Sequence, residues 1–169
     1  MIRIVVDSSA DYLPAELAEK NIDLVSLRID IGENTYTGGV DLIGDAFYET
    51  LSSRKEFPKT SQPSPQDFLN IFEDAKKKGD SVVCITLSSA LSGTYQSAAL
   101  AKEMAEYEHI YIIDSLSATI MIRIMADYAC NLRQEGASAR EIAQTIETLK
   151  LRVKVVAALD KYHLKQKTM

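Results

Sequence analysis

The sequence predicts an α/β fold, a mostly parallel sheet with helices on both faces, on three observations. Continuous apolar runs such as Ile2 to Val6 and Val82 to Ile85 read as buried strands. Segments with apolar residues at spacings of three and four alternate with those runs along the chain. The runs are bounded by acidic and small residues, as in Asp7-Ser8-Ser9 and Asp114-Ser115. The 169 residues, 46% hydrophobic and 25% charged, suit one soluble globular domain able to bury its own core.

The first strand, Ile2 to Val6, ends at Asp7-Ser8-Ser9. Pro14 starts a short helix to Lys20, with Asp11 as its expected cap, because proline suits a first helical position. Val25, Leu27, Ile29 and Ile31 alternate with Ser26, Arg28 and Asp30, a period of two that predicts one strand with a wet face. Gly32-Glu33-Asn34 is a turn and Thr35-Tyr36-Thr37 a returning strand, so an antiparallel hairpin is expected near residues 24–37. Ala46 to Ser52 reads as a helix and Ser53 to Pro63 as an irregular polar loop.

Ser64 and Pro65 form an N-cap and first-turn pair for a helix carrying Phe68, Ile71, Phe72 and Ala75, which stops at Gly79. A strand from Ser81 to Leu87 leads to a helix from Leu91 to Tyr107, and a strand from Ile110 to Ile113 ends at Asp114-Ser115. The next helix places Ile120, Ile124, Met125, Tyr128, Ala129 and Leu132 on one face. Gly136 ends it, Ser138 caps a further helix to Leu149, and Val153 to Leu159 is the last expected strand.

Net charge is -5, divided between a local +5 from Lys150 onward and -10 before it. An acidic body argues against a nucleic-acid partner, whose binders spread basic side chains over a folded face. The first apolar run reaches Asp7 too soon for a signal peptide or membrane span, so a cytoplasmic protein is expected. Cys84 and Cys130 have no cysteine or histidine close by in sequence, which predicts buried reduced thiols and no metal site.

A parallel sheet puts all its strand carboxyl ends at one edge, and a helix leading into such a strand has its N-terminus there. This gathers Asp7-Ser8-Ser9, Thr60-Ser61-Gln62, Ser88-Ser89 through Ser92-Gly93-Thr94, and Asp114-Ser115 where ligands of open sheets bind. Capping or loop bracing is the favoured role for Asp7, Ser64, Ser88 and Asp114. The Thr60 and Ser92 loops each precede a helix N-terminus, where free N–H groups and the helix dipole favour an anion. Gly93 lets a ligand approach the backbone, so a small carboxylate or phosphate fits.

Neither G-x-G-x-x-G nor G-x-x-x-x-G-K is present, which argues against a nucleotide. Ser92 as a nucleophile would need a base, but His109 precedes a strand and His163 lies in the basic tail. A hydrogen-bonding serine is the better assignment, and no catalytic residue is expected. Met121 and Ile122 add apolar surface to the helix after Asp114, suited to core, an interface or a lipid pocket.

Taken in order, Asp7-Ser8-Ser9-Ala10-Asp11, the segment Lys59-Thr60-Ser61-Gln62-Pro63-Ser64-Pro65 with Phe68, the segment Leu87 to Ala98, and Asp114-Ser115 resemble the N-terminal domain of the DegV family, over residues 1–160. The resemblance implies a bacterial cytoplasmic fatty-acid-binding protein whose ligand is a long-chain fatty acid such as palmitate, with no cofactor. Some family members are the acyl-carrying subunit of fatty acid kinase, so a kinase subunit is an implied partner. By the same resemblance Thr60 and Ser92 hydrogen-bond the carboxylate, with Ser61, Ser8, Ser9, Gly93, Thr94 and Ser115 as secondary contacts. Ile120, Met121 and Ile122 are the implied acyl-chain wall, standing where the family generally has a glycine.

Relatives continue into a second domain that covers the acyl chain, whereas Lys161 to Met169 reads as a divergent basic tail. The expectation is half of a two-domain ligand clamp, with an apolar surface beside Ser92 that a second copy could cover. Two other readings compete: a hydrolase or transferase for small anions using Ser92 or the Asp7/Asp114 edge, and a domain without a ligand.

Overall fold

The computed structural model describes residues 1–41, 43–53 and 58–156. In chain order they form β1 (Ile2–Asp7), α1 (Pro14–Lys20), β2 (Ile22–Val25), β3 (Arg28–Ile31), β4 (Asn34–Thr37), α2 (Asp45–Ser53), β5 (Lys59–Ser61), α3 (Pro65–Lys78), β6 (Ser81–Thr86), α4 (Thr94–Ala105), β7 (Ile110–Asp114), α5 (Ile120–Gln134) and α6 (Ala139–Leu149). A four-stranded parallel sheet runs in the order β2-β1-β6-β7, and a three-stranded antiparallel sheet in the order β4-β3-β5.

The continuous apolar runs are explained by burial on both faces of the large sheet. Successive side chains of a strand point to opposite sides, so Ile4, Val6, Val83 and Ile85 enter the core beneath α1, α5 and α6. Val5, Val82 and Cys84 enter the second core beneath α3 and α4, with Phe68 and Phe72. Both phenylalanines are fully buried, and each contributes roughly 1.5–3 kcal/mol relative to an exposed ring. Cys84 and Cys130 are free and buried, and burial pushes both thiols up.

Helix ends follow the sequence signals where a side chain closes them. Ser64 and Ser138 accept from the N–H groups of Asp67 and Glu141, and those carboxylates accept in return, the reciprocal box that starts α3 and α6. Gly79 ends α3 at φ 70°, a conformation that glycine adopts without strain. Among the described residues, no helix is long and apolar enough to cross a membrane.

Six expectations change. The period-two run from Val25 to Ile31 is two strands in different sheets: Leu27 N–H is held by Ser8 Oγ at 3.0 Å and Leu27 C=O by Gly38 N–H at 2.8 Å, which turns the chain out of the large sheet. The polar loop before Pro63 contains β5, an edge strand held by backbone bonds to β3. Asp11 does not cap α1; it sits at φ 58° after a single 3₁₀ turn, and Glu16 closes α1 by accepting from Leu13 N–H. The helix expected from Leu91 begins only at Thr94, because Leu91 and Ser92 N–H both bond back to Ser88 C=O. The core face of α5 is Ile122, Met125, Ala126, Ala129 and Cys130, leaving Ile120, Ile124 and Tyr128 exposed. Val153 to Val156 has no regular structure; residues 157–159 of the expected last strand, and the basic tail, lie outside the described residues.

Candidate ligand-binding site

The connections from β1 to β2 and from β6 to β7 run to opposite sides of the sheet, so the strand order switches between β1 and β6. A crevice opens beyond the carboxyl ends of strands at such a point. Asp7 stands at the carboxyl end of β1: one carboxylate oxygen accepts from Leu87 N–H at 2.6 Å, and the other from Ser9 N–H and Ser9 Oγ–H. Burial raises the Asp7 pKa, against the opposing pull of those donors. Asp114 does the same work at the end of β7, accepting from Ser89 N–H, Ser89 Oγ–H and Leu116 N–H. Both acids brace loops, the role favoured from sequence.

The two hydroxyls of Thr60-Ser61 face opposite ways. Thr60 is directly paired with Ile29, and Ile29 with Tyr36, so these three share the face that also carries the fully buried Ile31. Ser61 is paired with Arg28 and shares the outer face with Thr37. Alternation thus separates Ser61 from Thr60. The anion-favouring helix end is also not at α3: the Asp67 carboxylate already occupies its first turn, taking Ser64 N–H at 2.8 Å and Ser64 Oγ–H at 2.7 Å. Thr60 offers its hydroxyl from a strand.

The open helix end is that of α4, whose N-cap residue, Gly93, supplies no capping side chain. Ser92 Oγ lies 2.9 Å from Thr94 Oγ1 and accepts from Thr94 N–H at 3.3 Å. The Thr60 and Ser92 loops meet through Gln62, which the sequence places in the Thr60 cluster without a role of its own. A Cβ built on Gly93 would stand 1.9 Å from Gln62 Oε1, so the side-chain amide rests directly on the Gly93 backbone. Gln62 Nε2 also donates to Ser97 Oγ in the first turn of α4, at 3.3 Å. The only sequence signal for this is glycine in Ser92-Gly93-Thr94, which marks a close approach without saying what approaches.

Three candidate hydroxyls are used inside the protein. Ser8 Oγ holds Leu27 N–H, Ser9 Oγ donates to Asp7, and Ser115 Oγ donates to Ser117 C=O while accepting from Ser117 N–H. Ile122 is fully buried in the core, while Met121 is half-buried and Ile120 exposed. Ser88 N–H bonds Ser117 C=O, tying the Ser92 loop to the loop before α5. Leu91, Leu116 and Ile120 are exposed on these two loops and at the start of α5.

Among the described residues, Ser117 Oγ is buried without a hydrogen-bond partner. An orphaned hydroxyl carries its desolvation penalty uncompensated, so Ser117→Ala is expected to raise stability by about 1 kcal/mol. Chemical denaturation checks this, and a loss of stability would mean that the hydroxyl has a partner in solution.

Comparisons with known proteins place the chain and its fold. A family model described as "Uncharacterised protein, DegV family" matches residues 1–165. A DegV domain-containing protein of Caldanaerobacter subterraneus is 38% identical over 160 residues, 94% of this chain and 56% of the relative. The crystal structure of DegV, a fatty acid binding protein from Bacillus subtilis, superimposes with a TM-score of 0.79 at 33% identity, over 89% of this chain and 54% of that one. The Streptococcus pneumoniae Fatty Acid Kinase (Fak) B3 protein loaded with linoleic acid gives a TM-score of 0.73 at 28% identity, over the same shares of 89% and 54%. The chain spans about half the length of the curated relatives it matches. With the family model matching residues 1–165, nearly the whole chain, the chain belongs to the DegV family.

Proposed function

We propose that this chain binds a long-chain fatty acid such as palmitate, with Thr60 and Ser92 donating hydrogen bonds to its carboxylate at the open end of α4. The observation that carries this is the seating of Gln62 on Gly93, which brings the Thr60 strand and the Ser92 loop to one place. Two hydroxyl donors and a helix N-terminus form an environment for a carboxylate. Gly93 and Thr94 belong to that loop, and Ile120 and Met121 extend the apolar surface along which an acyl chain would lie. The role is non-enzymatic: transport of a fatty acid, or its presentation to a kinase subunit that phosphorylates it, as the fatty-acid-loaded relatives suggest. Two buried free thiols suit the reducing cytoplasm.

Extraction of the purified protein with organic solvent, followed by mass spectrometry, is expected to yield long-chain acyl species. Added laurate should bind more weakly than palmitate by about 1.5–3 kcal/mol, the upper figure for a fully enclosed chain at ~0.8 kcal/mol per CH₂ and the lower for one left open on a side. Absence of acyl species together with no binding of added palmitate would defeat the reading. Sedimentation with and without palmitate tests self-association over the apolar surface; an oligomer indifferent to lipid would detach it from ligand binding.

A further inference from the structure

We propose that Gln62 is the positioning residue of this site, locking the Thr60 strand to the Ser92 loop so that both hydroxyls address one carboxylate; this rests on the fatty-acid reading above. Gln62 follows Thr60 by two residues, at the exit of the short edge strand β5. That strand is exposed throughout and, among the described residues, pairs with β3 alone, so those backbone bonds do not fix where Thr60 stands relative to α4. The amide of Gln62 supplies the missing constraint. It lies on Gly93, the residue after Ser92, and its Nε2 reaches Ser97 Oγ, which is buried one turn into α4.

Gly93 is the other half of the device. Its φ is -75°, a value open to any residue, so the backbone does not demand glycine here. Space demands it: a methyl group at Gly93 would meet Gln62 Oε1, Cδ and Nε2 at 1.9, 2.6 and 2.7 Å. These atoms are the end of a flexible side chain, which can swing aside cheaply. Gly93→Ala therefore dislodges Gln62 with little cost to the fold. Two donors converge on one carboxylate only if each is held within about 0.5 Å of its productive position, so loosening this contact costs affinity for the headgroup and leaves the acyl chain untouched.

The test measures Kd for palmitate and for methyl palmitate, which keeps the chain and lacks the charge, in Gln62→Ala, Gly93→Ala and the double variant. Each single variant should weaken palmitate by about tenfold. Methyl palmitate should stay within about twofold, and the double variant should be no worse than Gln62→Ala, because the glycine acts only through the glutamine. Palmitate affinity unchanged in Gln62→Ala, while Thr60→Ala and Ser92→Ala lose it, would overturn the role of Gln62 and leave the carboxylate site standing. A full additional loss from Gly93→Ala in the Gln62→Ala background would also overturn it. No palmitate binding by the unsubstituted protein would remove both readings.

Discussion

If the proposed fatty-acid site is correct, Ser92→Ala is expected to weaken palmitate binding by about 2–3 kcal/mol, roughly 30- to 150-fold, more than Thr60→Ala at about 1.5 kcal/mol. The difference follows from how each hydroxyl is held. A serine hydroxyl has one proton to give and two lone pairs to fill. Ser92 Oγ receives Thr94 N–H, and at 2.9 Å it can receive the Thr94 hydroxyl proton too, which leaves the proton of Ser92 to point outward. Thr94 is fully buried, so this donor chain is dry at its inner end, and each bond polarises the next. Removing Ser92 Oγ deletes that polarised outward donor; the stranded Thr94 hydroxyl is a further cost to stability, present with or without ligand. Thr60 stands on an exposed edge strand, and its loss leaves no buried partner behind. Calorimetric titration with palmitate measures both. Equal losses would mean that the Ser92–Thr94 pair confers no advantage, and no loss in either would remove both from the site.

Thr94→Val separates the chain from its end. It keeps the shape at a buried position and removes the inner hydroxyl, so Ser92 retains its proton but loses the polarising donor. Affinity between that of the unsubstituted protein and that of Ser92→Ala is the expected result.

The parts of this fold that the sequence makes legible are those whose signal is local. β1, β6 and β7 are apolar on both faces, and α3 and α6 carry Ser64 with Asp67 and Ser138 with Glu141 as closed capping boxes. β5 has the sequence Lys-Thr-Ser, with no apolar residue to mark a period, and exists because β3 offers it a partner. The break between Val25 and Arg28 is invisible for a related reason: period two is preserved across it, and only the distant Ser8 and Gly38 show that the chain changes sheet. In α5 the spacings admit two overlapping apolar stripes, and the choice of Ile122 over Ile120 for the core depends on what lies beneath.

The site divides in the same way. Ser92 and Gly93 are legible because a loop before a helix has known chemistry. The distinction between Thr60 and Ser61 comes from the family resemblance alone, and its physical basis is hidden, since it depends on which face of an unforeseen strand each occupies. Gln62 is hidden for a third reason: its partner stands 31 positions away and has no side chain with which to announce the contact.

Asp7→Ala is expected to destabilise the protein by about 3 kcal/mol, the largest loss among the acids at this edge. The carboxylate is fully buried and serves three donors, one of them Leu87 N–H across the β1/β6 switch point. Alanine leaves those donors facing an apolar gap. Asp7→Asn is no rescue, because its NH₂ would replace an acceptor with a donor against either Leu87 N–H or the Ser9 pair. Asp114→Ala should cost less, about 1–2 kcal/mol, since Asp114 is partly open to water that can replace it. The pH dependence carries the opposite sign to that of a salt-bridged acid. Burial raises the Asp7 pKa, so above about pH 4 the folded state keeps a proton that the unfolded chain has already released. Stability from this group is therefore full at the acidic side and falls as pH rises through the raised value. Denaturant unfolding at a series of pH values should show the gap between the unsubstituted protein and Asp7→Ala narrowing as pH rises. A gap that widens instead would mean that the Leu87 and Ser9 donors outweigh burial and hold Asp7 ionised, as a fixed negative charge at the carboxyl end of β1.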